Sequence, residues 1–521
     1  MFVAVNPLDG VAVWRLLEFL SERTAWHRSL WGVGVVLAMD EFYEACIVSK
    51  QGHLSEGTLK RMSSALQKRA SLHPAFTERE KGFLRAQLQQ IPRAHGPAHY
   101  GIRELSDHIS ADYLARWGRA VAAKPVAVEH FSRSVAAHLL DRGFSGPYLY
   151  NFIKAKLDAP EAATLSELCE ALHAEVAAMP VREFDVLLAF AETPQLPNGV
   201  PDSWLRGSAI TGWLEANGFA TTNVRAAVAI ILKVKARDHV GAASVARGEA
   251  DRYAARALIA TGKALRPLPF LWVKGAPEPA AMKEASRGVG VKELFREDRV
   301  FSADASQSVD AALELLAHLD GSSPPAAIAG GWGAIEGLLA DPSDRASAAD
   351  NLATLVTCSF PRAELTALSY RLERQHPEAA QELAGLTVNR DRARAVAQMI
   401  VDRRVPAMRG EVDRAAVARL QKLLANPGPE LQTIREAIGE SFHRLYRQRN
   451  LILHGGRLDS VALSASLRTV AKLAGAGMDR ITHGWYVQTL QPLELVARAN
   501  LSLELASRDD PLSCADLLET N

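Results

Sequence analysis

The chain has 521 residues, 48% hydrophobic and 23% charged, with a net charge of +1. That length and balance describe a globular protein with well-buried cores, of roughly two to four domains. They exclude a disordered chain and a strongly basic one, so no overall charge advertises nucleic acid.

In chain order, residues 1–190 read as a series of amphipathic helices. Breaks fall near Gly52, at Ile91 to Pro97, at Lys124-Pro125 and from Gly143 to Pro147. Met1 to Gly10 lacks a basic flank followed by a continuous apolar run, so no signal peptide is expected. The best apolar run, Leu30 to Met39, stops at Asp40 and Glu41 and is too short to cross a bilayer. Pro194 to Pro201 is rich in Pro and Gly and reads as a linker. A second unit starts at Trp204, with Thr222 or Asn223 as the N-cap of a helix running through Asp238. At Pro267 to Gly275 a short apolar run is bounded by Pro and Gly. With Arg299-Val300-Phe301 as its partner it predicts a small β-hairpin between 268 and 303. Helix restarts from Ser306 to Ala317, breaks at Gly321 to Pro325, and continues to a short tail at Asp510-Pro511. The expected fold is therefore mainly α and multi-domain: a helical N-terminal domain at 1–193, a mixed helical and small-β connecting domain at 202–305, and a C-terminal helical bundle at 306–508. No internal repeat or low-complexity tract interrupts it.

The four cysteines, Cys46, Cys169, Cys358 and Cys514, stand far apart with no Cys-x-x-Cys pair. That argues against a zinc ribbon or a disulfide scaffold and fits a reducing cytoplasm, so a soluble cytoplasmic protein is expected.

The most informative stretch is Arg449-Asn450-Leu451-Ile452-Leu453-His454, followed by Gly455-Gly456. It closes a helix that begins near Leu431, with Ile434, Ile438, Phe442, Leu445 and Ile452 along one apolar stripe. Helical geometry places Arg449 in that stripe, among residues expected to be buried. A second face carries His443, Arg447, Asn450 and His454, spaced four, three and four. Residues 390–460 hold fourteen Lys and Arg, Arg457 among them, against eight acids, a local excess of six positive charges. Such a region attracts phosphates, or else simply presents solvated arginine faces.

These residues resemble the signature of HEPN domains, helical bundles whose motif is Arg, a polar residue (often Asn or His), a short gap and then His. Arg449-Asn450 to His454 fits its shortest form, and Arg447 to His454 also falls in the permitted range, which leaves the essential arginine open. A further stretch, Gly331 to Leu339 with Trp332, Ala334, Glu336 and Leu338, resembles the early helix of HEPN domains related to the ApeA family. With it, the resemblance covers about residues 306–505.

The resemblance implies a metal-independent endoribonuclease of the kind found in toxin–antitoxin pairs, CRISPR effectors and phage defence, with no cofactor. The implied catalytic set is Arg449, Asn450 and His454; Arg447, His443 and Arg457 would bind substrate, and Glu336 would support Arg449. RNA, tRNA included, is the implied partner, and a homodimer the implied assembly, because one motif supplies only one Arg/His set. A ribonuclease must be held off until needed, so residues 1–300 would sense or regulate, in antiphage abortive infection or a toxin-type growth arrest.

The residue types suit that chemistry. RNA carries its own nucleophile, the 2′-hydroxyl, so cleavage needs proton handling and positive charge at the developing phosphorane. Histidine titrates near neutrality, and a helix C-terminus favours its cationic form. Arginine stays charged and holds phosphate with a planar fork. The alternative is a non-catalytic HEPN module that binds a nucleotide or protein partner, with Arg449 paired to Glu336 in the core and His454 a plain helix-end residue.

Other motifs carry less. His95 and His99 have the spacing of a helical metal pair, but Gly96 and Pro97 lie between them. No His-Glu-x-x-His and no Gly-x-Ser-x-Gly occurs. Gly330-Gly331-Trp332-Gly333 lacks the Gly-Lys-Ser/Thr of a phosphate loop, and Gly288-Val289-Gly290 lacks a third glycine.

Overall fold

The computed structural model describes residues 7–158, 164–196, 198–222, 224–283, 285–302 and 307–519. Asn223 as a helix cap, Ser306 as a helix start and Pro197 of the linker lie outside them. The first helices are α1 (Pro7–Leu20), α2 (Val35–Lys50), α3 (Glu56–Ser71), α4 (Glu78–Gln87), α5 (Pro97–Ala123), α6 (Val128–Asp141), α7 (Gly146–Asp158) and α8 (Leu165–Ala178). There follow β1 (Arg182–Phe190), β2 (Leu205–Arg206), α9 (Ser208–Ala216), β3 (Val228–Ala236), α10 (His239–Thr261), β4 (Pro267–Val273) and β5 (Ala280–Ala281). The chain then returns to helix: α11 (Glu293–Arg296), α12 (Ser308–Gly321), α13 (Pro324–Leu339), α14 (Ser347–Gln375), α15 (Pro377–Leu383), α16 (Asn389–Val401), α17 (Glu411–Ala425), α18 (Pro427–Leu453), α19 (Leu463–Tyr486) and α20 (Pro492–Leu505). The described residues are mainly helical, as the periodicity implies, and carry one antiparallel sheet. No described helix is long and apolar enough to cross a membrane.

The chain divides into two compact units, and neither matches the linker-based boundaries. One comprises residues 1–138, 156–170 and 287–521; the other comprises 139–155 and 171–286. The first 138 residues thus share a unit with the C-terminal bundle rather than forming a domain of their own.

The smaller unit holds a five-stranded sheet in the order β2-β3-β1-β4-β5, each pair antiparallel. It corrects three expectations. Residues 182–190 are a strand, not helix, because both faces of β1 are covered. Phe184, Val186 and Leu188 pack with Ala242, Ala243 and Ala246 of α10, while Leu187 and Ala189 pack with Ile210 and Leu214 of α9. From Val186 to Phe190, where both faces are covered, the strand is apolar throughout and shows no alternation to read. The helix expected through Asp238 is β3, where Val228, Ile230, Ile231 and Val234 favour the pleated backbone. Asp238 instead starts α10, its Oδ1 accepting from the Gly241 N–H at 2.8 Å. The hairpin near 268–303 is present as β4 and β5, but its partner residues are Ala280 and Ala281, not Arg299 to Phe301. Phe301 is fully exposed.

In the larger unit, α12 to α20 enclose one apolar core, which Trp31 from the N-terminal segment joins. Buried ion pairs tie that segment to the bundle. Arg28 bonds Glu364 at 2.8 Å and Asp413 at 3.1 Å, and Glu129 receives Arg15 at 2.7 Å and Arg419 at 2.5 Å. Burial within this cluster lowers His27 to about 4, so the ring is neutral at pH 7. Burial also pushes the thiols of Cys46, Cys169, Cys358 and Cys514 up to about 12, and all four are free.

The glycine run at 330–333 lies within α13 and brings it against α12. A Cβ on Gly330 would stand 2.7 Å from the Leu315 carbonyl oxygen and 2.8 Å from the His318 Cβ, whereas one on exposed Gly337 meets nothing within 4 Å. Gly330→Ala is expected to destabilise the fold by about 1–3 kcal/mol through overpacking. Gly337→Ala is expected to stabilise it by about 0.4–1 kcal/mol by restricting the unfolded chain. Paired thermal denaturation curves check the opposite signs.

Candidate functional site

The helix α18 begins at Pro427, a favoured first-turn residue, and runs to Leu453. Ile438, Phe442 and Leu445 are fully buried along its apolar stripe. Gly455 and Gly456 stop it. A Cβ on Gly455 would lie 2.8 Å from the Leu451 carbonyl, Gly456 takes φ +61°, and the Arg457 N–H returns to Leu451 O at 3.0 Å.

At this end three motif residues meet. Arg449 Nη1 donates to Asn450 Oδ1 at 3.0 Å and reaches His454 Nε2 at 3.1 Å. A guanidinium can only donate, so in this contact His454 Nε2 is the acceptor. His454 is exposed and Asn450 buried. Arg449 is not the fully buried arginine that the stripe suggests; its side chain is 16% exposed. Across the bundle, its Nη2 stands 3.5 Å from Glu336 Oε2 of α13. Glu336 also accepts from the buried Trp332 indole and lies 3.4 Å from Arg345.

The other expected substrate-binding residues lie elsewhere. Arg447 is 3% exposed, its Nη2 2.8 Å from Glu41 of α2, and Arg444 holds the second oxygen of the same carboxylate at 2.9 Å. Burial alone would raise Glu41, but the two guanidinium groups outweigh it and hold the carboxyl at about 2. His443 is buried against Asp350 at 2.8 Å, with Arg61 of α3 beside its ring. Arg457 is half-buried between Glu44 at 2.9 Å and Asp459 at 3.1 Å. The face that carries His443 and Arg447 is therefore covered by α2 and α3, and those residues hold the fold.

The basic excess at 390–460 is likewise matched from outside that window. Asp516 takes Arg390 and Arg394, Glu373 takes Arg392, Glu382 takes Arg404, and Glu129 takes Arg419. These arginines form solvated or buried ion pairs rather than an open phosphate-attracting surface.

Sequence reasoning missed three neighbours of the motif. Glu41 and Glu44 were signalled only as acids within a largely apolar helix. His53, in the turn between α2 and α3, brings its Cδ2 within 3.6 Å of where a Gly455 Cβ would stand. No local pattern marks it; the packing of α2 and α3 places it there. His99, by contrast, bonds the Tyr43 carbonyl through Nε2 at 2.9 Å, just inside α5, which starts at Pro97. Among the described residues no group of three or more His, Cys, Asp or Glu is arranged to hold a metal ion.

Compared with known protein families, characterised proteins and solved structures, the chain has no match.

Proposed function

We propose that this protein is a metal-independent endoribonuclease of the HEPN type. The observation that carries the reading is the meeting of Arg449, Asn450 and His454 at the exposed end of α18, where Arg449 Nη1 stands 3.0 Å from Asn450 Oδ1 and 3.1 Å from His454 Nε2. In the reaction, the 2′-oxygen bonds to phosphorus as its proton leaves, and the bond to the 5′-oxygen breaks as that oxygen gains a proton. His454 takes or returns a proton; Arg449 holds the phosphorane oxygens; Asn450 orients Arg449. The products are a 2′,3′-cyclic phosphate and a 5′-hydroxyl. One chain supplies one such set, so a two-fold dimer that joins two sets is the proposed active form, with phage defence or growth arrest as its setting. The test is incubation of purified protein with total RNA and tRNA in EDTA, with analysis of the ends. No cleavage, with or without phage components, would count against it.

The Arg449–Glu336 contact favours a second reading, a HEPN module that binds a nucleotide or protein partner without cutting. The two arginines separate the readings. In the nuclease, Arg449→Ala lowers the cleavage rate by about 10²–10³ with the fold intact, as loss of a group stabilising transition-state charge does. Arg447→Ala instead strips a buried partner from Glu41 and lowers stability. Cleavage assays beside thermal denaturation of both variants check this; if both only destabilise, the second reading gains.

A further inference from the structure

A groove of about 920 Å³ lies between α2, α3 and the segment 88–94 that follows α4. Its charge is distinctive. Lys50, Lys60 and Arg93 point into it against one carboxylate, Glu56, which Lys60 already meets at 2.7 Å. Lys50 and Arg93 are exposed and make no ion pair among the described residues, whereas the arginines around the motif, Arg444, Arg447 and Arg457, are all paired. Between these cations stand hydrogen-bonding side chains, Gln67 and Gln89 among them, over an apolar floor that includes Leu59 and Leu88. Unpaired cations beside amide groups and apolar surface suit a ligand with repeated phosphates and flat polar rings.

The groove also has a fixed relation to the motif. Ser49 and Lys50 line it from one side of the α2–α3 turn and Glu56 from the other, and His53, within that turn, is the residue that faces Gly455 beside His454. Lys50 and His53 are three residues apart, at most about 11 Å along the chain. The opposite face of α2 carries Glu41 and Glu44, which bond Arg444, Arg447 and Arg457 around the motif. One helix pair therefore grips the motif helix on one side and opens a cationic groove on the other.

We propose that this groove holds the flank of a single-stranded RNA whose scissile phosphate lies at His454. The proposal rests on the ribonuclease reading for the position of that phosphate, while the groove's affinity for RNA is measured without cleavage. Full-length protein carrying His454→Ala binds a labelled single-stranded RNA 20-mer, read by fluorescence anisotropy at several salt concentrations. Adding Lys50→Glu and Arg93→Glu weakens binding at least tenfold and lowers the slope of log affinity against log salt by about 1.4, the value for two lost phosphate contacts on a single strand. Lys50→Gln with Arg93→Gln gives a smaller loss in the same direction, and circular dichroism confirms that both pairs fold. Unchanged affinity and slope in both would overturn the proposal. So would competition by a mononucleotide at the same concentration as the 20-mer, since the groove would then serve a free nucleotide. Should His454→Ala still cut RNA, the assignment of the site fails, and the binding series still decides the groove.

Discussion

Purified His454→Ala protein is expected to leave total RNA and tRNA intact in EDTA under conditions where, on the proposed function, the wild type cuts both to cyclic-phosphate ends. The expected loss is about 10²–10⁴-fold, the range for removal of a positioned proton-transfer group. His454 lies outside the core, exposed at the end of α18, so its truncation removes no buried contact and thermal stability should stay within about 0.5 kcal/mol of wild type. Loss of cleavage at constant stability is therefore a statement about chemistry. In cells the same change should relieve any growth inhibition that the wild type causes. Full cleavage by the purified variant would remove His454 from the mechanism and with it the ribonuclease assignment of this site.

Replacing Glu41 by Gln is expected to cost about 3–5 kcal/mol, because it leaves Arg444 and Arg447 with uncompensated charge in a site where each is at most 3% exposed. For a unit of this size that is a drop in melting temperature on the order of 5 °C. The pH dependence has a defined sign. Glu41 is depressed in the folded state to about 2 from an ordinary value of 4.5. Its contribution is fully present above the unfolded value and is lost as pH falls from there through about 2. Wild type should thus lose stability between pH 5 and 2 by more than Glu41→Gln does, and denaturation curves across that range measure the difference. Equal acid sensitivity of the two proteins would show that the carboxylate does not anchor α2 to α18.

Much of the motif's local setting was legible in the residues. The apolar spacing from Leu431 to Ile452 and the Gly-Gly stop placed α18 and its end within a few residues of where they lie. The spacing of Arg449, Asn450 and His454 implied that they share the helix end, since four residues are about one turn. What failed was the sorting of arginines. Arg444, Arg447 and Arg449 look alike in sequence, and only Glu41, some 400 residues distant along the chain, decides which two are committed to the fold. The strands failed for a related reason. Periodicity reports burial on one face, and β1, covered by α9 and α10, has two.

By itself the sequence determined a mainly helical chain, the helix that carries the motif, and four cysteines without a pairing framework. These follow from interactions within a few residues: helical spacing, caps and turn chemistry. Tertiary structure decided that residues 1–138 join the bundle, that Glu41 and Glu44 neutralise the arginines around the motif, and that His53 stands beside Gly455. Those are contacts between residues hundreds apart, where a charge is set by whichever partner packing delivers, and no local pattern encodes that partner.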